Sequence, residues 1–186
     1  MVINDSIKEI AQNAAEPLLN ISKNGAKLIK HFDIRCSQLK DYNYEPIQDS
    51  ENFKLLFNDL QEMTGPCLYF FEITSEHSSY EIVNKIKEYS ITPSPKTTPA
   101  IKMTIPDSKF LYVGKVKRFM WGRLIQHFGY YKVRLTQGLQ LFYWTQELNL
   151  TIRLTVLEFE PEMINLMEVL ENELAKQLKP ILGKHK

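Results

Sequence analysis

The stretch at residues 109–128 limits the possible folds of this chain most, because it predicts a strand, a turn and a helix in immediate succession. Residues 110–113 (F-L-Y-V) are aromatic or aliphatic and favour a β-strand. Gly114 is expected to break this strand, since glycine permits a tight turn or a close approach of the backbone to a ligand. Leu124 and Phe128 then lie four positions apart, which is the spacing of an apolar helix face.

Polar residues of the same stretch suggest a site for a small anion. Arg123 and His127 are also four positions apart, so a helix would present a guanidinium and an imidazole on one side. Tyr112 stands near the end of the predicted strand. A tyrosine, a glycine turn and an Arg–His pair can converge on a phosphate group, whereas an isolated arginine would be an ordinary surface residue.

These residues resemble the second half of the GIY-YIG nuclease motif. Tyr112-Val113-Gly114 followed by Arg123 and His127 matches that half, and Tyr69 in the run C-L-Y-F-F matches the first half. Glu171, in the stretch L-E-N-E-L-A-K-Q-L-K-P, corresponds to the distal acidic residue of the family. The resemblance covers residues 65–186. It implies a catalytic domain with a small antiparallel sheet, in which residues 74–108 form an insertion between the two tyrosine strands.

The resemblance also implies roles for individual residues. Arg123 would stabilise negative charge on a phosphodiester, and Glu171 would bind Mg²⁺ or Mn²⁺. Tyr69 would be the general base, assisted by His127, and Tyr112 would position water or phosphate. A free tyrosine has a pKa of about 10, so Arg123 and Lys115 would have to stabilise the phenolate. The reference pKa of histidine alone favours His127 as the base, and both alternatives stay open.

The distribution of charge favours a nucleic-acid partner, although the formal net charge is only +1. Residues 102–134 contain eight basic residues and one acid, with aromatic residues between them. Such a run is either a solvated face or a groove that follows a phosphate backbone, and the interleaved aromatic residues favour the groove. The predicted DNA-binding residues outside the catalytic set are Lys117, Arg118, Lys132 and Arg134.

The remaining segments predict an α+β fold with a small, mainly antiparallel sheet flanked by helices. Apolar periodicity predicts a helix over residues 3–32, which Pro17 or Asn24-Gly25 would interrupt or end, and a further helix over residues 50–64. Residues 1–64 are therefore predicted to be a helical extension, with a loop at 42–49. Further strands are expected at 67–73, 140–145 and 150–159, and helices at 79–89 and from Pro161 onward.

Composition limits the class of protein. A chain of 186 residues that is 44% hydrophobic is long enough for one domain with a real core. No apolar run is long enough for a membrane span, and two cysteines are too few for a disulfide framework, so we expect a cytoplasmic protein.

The favoured hypothesis is a metal-dependent DNA endonuclease, either restriction-like or related to mobile elements or phages. The alternative is a non-cleaving nucleic-acid-binding or interaction module. A symmetric cut in duplex DNA would require a homodimer.

Overall fold

The computed structural model of the protein describes residues 2–40 and 46–184. It confirms the predicted fold class: a four-stranded antiparallel sheet is flanked by helices, with a further helix at the N-terminus. Residues 42–45 of the predicted loop lie outside the described residues. Within the described ranges, no helix has the length and apolar character needed to cross a membrane.

The sheet has the strand order β1-β4-β2-β3, and every neighbouring pair is antiparallel. β2 lies inside the sheet, with β4 on one side and β3 on the other. Its nearly continuous apolar sequence suits a strand that is covered by helices on both faces of the sheet. β3 and β1 are the two edges. The strands are β1 (Leu28–Arg35), β2 (Cys67–Ile73), β3 (Phe110–Val116) and β4 (Thr151–Glu158).

Helices cover both faces of the sheet because successive side chains of a strand point to opposite faces. The larger core lies on the face that carries Tyr69 and Tyr112, and it includes residues of the second, third and fourth helices. The opposite face carries Leu68 and Val113 and packs against the last helix. The helices are α1 (Val2–Asn24), α2 (Lys54–Gln61), α3 (Ser79–Ser90), α4 (Met120–Phe128), α5 (Leu141–Trp144) and α6 (Met167–Leu178).

The N-terminal part of the chain differs from the sequence prediction. The predicted helix over residues 3–32 ends at Asn24, before Gly25 with its positive φ of 74°, and it continues through Pro17. The continuation to residue 32 is wrong, because Leu28–Arg35 pairs along its whole length with β4. Residues 1–64 are therefore not a purely helical extension: they supply one edge strand of the sheet.

Three further predictions of local structure are wrong. Gly114 does not break a strand but lies inside β3. The predicted strand at 140–145 is the short helix α5, since a brief apolar run does not distinguish the two structures. Pro161 begins a 3-10 helix, Pro161–Asn165, and α6 itself starts at Met167.

The predicted insertion contains a helix and an extended segment that packs against the region after α4. α3 begins with a capping box in which Ser78 and Glu81 satisfy each other's backbone N–H groups. Beyond α3, Thr97 exchanges backbone hydrogen bonds with Arg134 and Gly138. The Lys96 ammonium donates to the carbonyls of Gly129 and Tyr131. The insertion thus holds the loop that follows α4.

Candidate active site

Four of the predicted site residues meet in one cluster on the α4 side of the sheet. Tyr69 comes from β2, Tyr112 from β3, and Arg123 and His127 from α4. Tyr69 Oη lies 2.9 Å from His127 Nε2 and 3.0 Å from Arg123 Nε. The rings of Tyr112 and His127 are 5.2 Å apart between centroids. The helical spacing of Arg123 and His127 therefore brings both to the tyrosines, as the sequence predicted.

Gly114 makes room for the two phenol rings. It is paired with Tyr69 across the β2–β3 ladder, and Tyr112 precedes it by two residues on the same face of β3. A Cβ at Gly114 would lie 2.5 Å from Tyr69 Oη and 2.7 Å from Tyr112 Cε1, closer than such atoms can approach. Gly114 is thus needed for close approach, which was one of its two predicted roles, and not for a turn.

His127 is fully buried, and both ring nitrogens have a hydrogen-bond partner. The backbone N–H of Leu139 donates to Nδ1 over 3.2 Å, so the proton of the neutral ring is on Nε2 and is donated to Tyr69 Oη. Burial lowers the pKa of His127 well below its usual value, and the Arg123 charge lowers it further. The argument for His127 as a base from its reference pKa therefore does not apply in this environment.

Tyr69 is also fully buried, and its oxygen accepts hydrogen bonds from His127 and Arg123. Burial raises the pKa of Tyr69 far above its ordinary value, and the neighbouring Tyr112 adds to this. The charge and hydrogen bond of Arg123 act in the opposite direction. Because burial is the largest effect, Tyr69 is a neutral phenol in this conformation, and it has no exposed surface through which a water molecule could reach it.

Arg123 is half-buried and is held from several directions. Its Nη1 donates to Gln126 Oε1 over 2.6 Å and to the carbonyl of Gln137 over 2.9 Å, while Nε donates to Tyr69. The sequence analysis did not identify Gln126 or Gln137. The i,i+3 spacing of Arg123 and Gln126 was available as a signal. No local pattern indicates that the Gln137 carbonyl reaches the site from the loop after α4.

Lys115 and Glu171 form an ion pair beside the cluster, not within it. Lys115 follows Gly114 on β3, so its side chain is directed to the other face of the sheet, where Glu171 of α6 lies. Glu171 is only 8% exposed, and the side chain of Lys115 is 32% exposed. The negative charge of Glu171 is one of the causes that raise the pKa of Tyr69, so the pair lies within electrostatic reach of the phenols.

Glu171 is the predicted metal ligand, and its surroundings limit the kind of site it can form. In the described part of the chain, no three His, Cys, Asp or Glu residues come together as a metal cage. Glu171 Oε2 is bonded to Lys115, and Oε1 has no hydrogen-bond partner among the described residues. A single carboxylate oxygen fits the mode in which Mg²⁺ keeps several waters and takes further ligands from a substrate phosphate.

The four predicted DNA-binding residues lie in two loops, one at each end of α4. Lys117 and Arg118 are in the three-residue connection between β3 and α4, and Lys132 and Arg134 are in the loop after α4. All four are exposed, and none forms a salt bridge with another residue that the structure describes. Their charges are therefore available on both sides of the half-buried Arg123.

Comparisons of this chain with models of protein families, with curated proteins and with solved structures found no match.

Proposed function

We propose that this protein is a metal-dependent DNA endonuclease of the GIY-YIG type. The observation that carries the proposal is the hydrogen-bonded cluster of Tyr69, Arg123 and His127 with Tyr112 against it. These residues come from three secondary-structure elements, and Tyr69 and His127 are 58 positions apart in the sequence. Their motif resembles that of the nuclease family, and the fold brings them together as the motif requires.

Arg123 supplies the main electrostatic contribution in this proposal. A guanidinium is always charged, so it stabilises the additional negative charge of a phosphodiester transition state. Gln126 and the Gln137 carbonyl hold it in one orientation, which reduces the cost of reorganisation during the reaction. A bound Mg²⁺ or Mn²⁺ at Glu171 would neutralise charge on the phosphate and the leaving oxygen.

The burial of the two tyrosines favours different roles for them. Tyr69, without exposed surface, holds Arg123 and His127 through its oxygen. Tyr112 is 8% exposed and interacts with Arg123, so it is the phenol that can contact a water molecule or a phosphate. In the family motif the base corresponds to Tyr69, and this role would require the site to open so that water reaches the Tyr69 hydroxyl.

DNA would bind across α4. The exposed cations Lys117 and Arg118 at its start, and Lys132 and Arg134 after its end, would contact phosphates on both sides of the scissile bond. Such contacts release counterions, so the affinity for DNA should fall with salt concentration, more steeply the more phosphates are contacted.

We propose the cytoplasm as the location of this protein. Two free, buried cysteines, Cys36 and Cys67, are compatible with that reducing compartment.

A homodimer would place two active sites on one duplex, and α1 offers a surface for it. Residues 3–16 are exposed, and Ile3, Ile7, Ile10 and Ala14 form a single apolar stripe with heptad spacing. The flanking positions, Asn4, Ser6, Ala11 and Asn13, carry no charge. Two copies can therefore meet along this stripe without like-charge repulsion, and we propose a second copy of the chain as its partner.

The second candidate function is a nucleic-acid-binding module that does not cleave. One observation favours it: Lys115 already neutralises the carboxylate of Glu171, and an ammonium at this position competes with a metal ion. In this alternative the basic residues around α4 still bind DNA. Binding measurements alone do not distinguish the two functions, whereas a cleavage assay does.

Plasmid cleavage with a matched pair of variants tests the proposal. The purified protein is incubated with supercoiled plasmid and Mg²⁺ or Mn²⁺, and a parallel sample contains EDTA. We expect metal-dependent nicking or linearisation, lost in Glu171→Gln and retained in Glu173→Gln, because Glu173 is an exposed neighbour on the same helix that pairs with Lys176. Absence of cleavage by folded wild-type protein, with DNA binding intact, would favour the non-cleaving module. Equal activity in all three proteins would reject Glu171 as the metal ligand.

A further inference from the structure

Phe119 has a backbone conformation that phenylalanine rarely adopts. It is the residue before the first turn of α4, with φ 59° and ψ 58°, in the left-handed region that favours glycine and asparagine. Its carbonyl accepts the N–H groups of Gly122 and Arg123, so this conformation starts the helix that carries Arg123. The tight connection between β3 and α4 explains the turn but not the choice of a large aromatic side chain.

Packing does not explain that choice either. Phe119 is 63% exposed, and its ring meets that of Trp121 edge-on at 6.3 Å between centroids. Gln140 provides a contrast. It is also left-handed and also precedes a helix, but it is 2% exposed and donates to the carbonyls of Thr97 and Thr136. Among the residues that the structure describes, Phe119 makes no comparable interaction to offset a strained backbone and an exposed apolar ring, and residues in this situation cluster at functional sites.

The position of Phe119 links it to the proposed DNA path. Lys117 and Arg118 immediately precede it in the exposed β3–α4 connection, and Arg123 follows one helical turn later. An exposed aromatic ring between phosphate-binding cations and a catalytic arginine is suited to a nucleobase, since every base offers a π-face for stacking. Base stacking on such a ring requires that the base is not already stacked on both sides within a duplex.

We propose that Phe119 stacks on an unpaired or displaced base next to the scissile phosphate, so that the preferred substrate is DNA with a local interruption of base pairing. This inference rests on the proposed function, because it assumes that DNA crosses α4. It adds a substrate class: a bulge, flap or junction is bound more tightly than a fully paired duplex. Phe119 then recognises DNA structure and does not take part in the chemical step.

Binding of two matched DNAs tests the proposal. Fluorescence anisotropy compares a labelled duplex with the same duplex that carries one bulged base, using protein with Glu171→Gln to prevent cleavage. In that background, Phe119→Asn removes the ring but tolerates the left-handed backbone, and Phe119→Tyr keeps the ring. Met103→Ala is the control for loss of an exposed apolar side chain.

The parent should prefer the bulged DNA, and Phe119→Asn should bind it about 10- to 100-fold more weakly while binding to the paired duplex changes little. Phe119→Tyr and Met103→Ala should behave as the parent, and the melting temperature of Phe119→Asn should not fall. The inference is overturned if Phe119→Asn binds bulged DNA as the parent does, or if it weakens binding to both DNAs equally. If the parent binds neither DNA, the proposed function fails as well, whereas a parent that binds both DNAs with equal affinity rejects the inference alone.

Discussion

Gly114 of β3 lies directly opposite Tyr69 of β2, and a Cβ at Gly114 would approach Tyr69 Oη to 2.5 Å. The hydroxyl of Tyr69 therefore occupies space that every other residue type would fill. This oxygen accepts hydrogen bonds from Arg123 and His127, so the absence of a side chain at Gly114 determines where these two residues of α4 can lie.

We expect Gly114→Ala to damage both the fold and the site. The added methyl group must displace Tyr69 or Tyr112, and overpacking of this kind costs about 1–3 kcal/mol in the free energy of unfolding. Urea denaturation measures this loss. Gly122→Ala in α4 is the control, because nothing lies within 4 Å of a Cβ there. It should stabilise the protein by about 0.5–1 kcal/mol, since alanine is the better helix former. A Gly114→Ala variant as stable and active as wild type would contradict the packing argument.

The two tyrosines should respond differently to removal of their hydroxyl groups. Tyr112→Phe should lower the rate of plasmid cleavage by about 10²- to 10⁴-fold with little loss of stability, if Tyr112 contacts water or phosphate. Tyr69→Phe leaves the Nε–H of Arg123 and the Nε2–H of His127 without an acceptor in a buried place. It should therefore also cost about 1–3 kcal/mol of stability.

Rates and denaturation curves of both variants separate these roles. A Tyr69→Phe protein with wild-type stability and a greater loss of rate than Tyr112→Phe would instead support Tyr69 as the general base. As a control, DNA binding of both variants is measured without metal, and their rates are compared only if they bind DNA as tightly as wild type.

Prediction from the sequence succeeded where a local pattern determines the structure. The apolar run of β2 and the four-residue spacing of Arg123 and His127 are local, and the structure has the strand and the shared helix face. β1 is different. Only Ile34 of its eight residues is buried, so its sequence carries a weak apolar signal, and its strand structure depends on pairing with β4 more than 100 residues later.

The candidate site was also only partly predictable, because some of its contacts come from residues that no local sequence pattern identifies. Tyr69, Tyr112 and α4 were predicted to converge, but two of the hydrogen bonds that hold His127 and Arg123 come from the backbone of Leu139 and Gln137. Every residue has a backbone carbonyl and every residue except proline has a backbone N–H, so these donors and acceptors leave no trace in the sequence. The burial that depresses the pKa of His127 arises in the same way from tertiary packing, which is why its reference pKa was misleading.

The depressed pKa of His127 predicts how stability depends on pH. In the folded protein His127 stays neutral, whereas in the unfolded chain it binds a proton below about pH 6.5. The unfolded state thus binds more protons in this range. The stability that neutral His127 contributes to the folded state is therefore fully present above pH 6.5 and is lost as the pH falls toward the folded pKa. The free energy of unfolding should decrease by at most about 1.4 kcal/mol per pH unit from this group.

Urea denaturation at a series of pH values between 7.5 and 5 checks this slope, with ~0.5-unit steps sufficient to resolve a group that titrates near 6.5. His127→Gln removes the titrating group and should flatten the curve, whatever its effect on stability at neutral pH. His77→Gln is the control, because His77 lies outside the buried cluster with its Nδ1 2.8 Å from Ser75 Oγ, and this variant should retain the slope that His127 produces. An unchanged slope in His127→Gln would show that His127 binds protons equally in the folded and unfolded states, which contradicts a depressed pKa.

The apolar stripe of α1 predicts self-association. Ile3, Ile7 and Ile10 are exposed, whereas Leu18 and Ile21 farther along the same helix are half-buried against the domain. The apolar stripe thus continues the packed end of α1 into the part of the helix that is exposed. Residues 3–16 of α1 are exposed, and an isolated helix of about 12–15 residues is only marginally stable, so a second copy would supply stabilising packing. A stripe of three isoleucines and one alanine should bury less than the roughly 1,200 Å² typical of stable interfaces, so we expect a dissociation constant of micromolar order.

Sedimentation velocity over a range of micromolar concentrations should therefore show a monomer–dimer equilibrium. Ile7→Glu combined with Ile10→Glu places a negative charge on both partners at the centre of the stripe, and it should leave only monomer. Leu19→Glu changes an equally exposed side chain on the outer side of the same helix, and it should keep the dimer. A wild-type protein that is monomeric at every concentration, or an Ile7→Glu/Ile10→Glu protein that still dimerises, would exclude α1 as the contact. Loss of double-strand cuts with retained nicking in the monomeric variant would connect the dimer to cleavage, because each active site would then act on one strand.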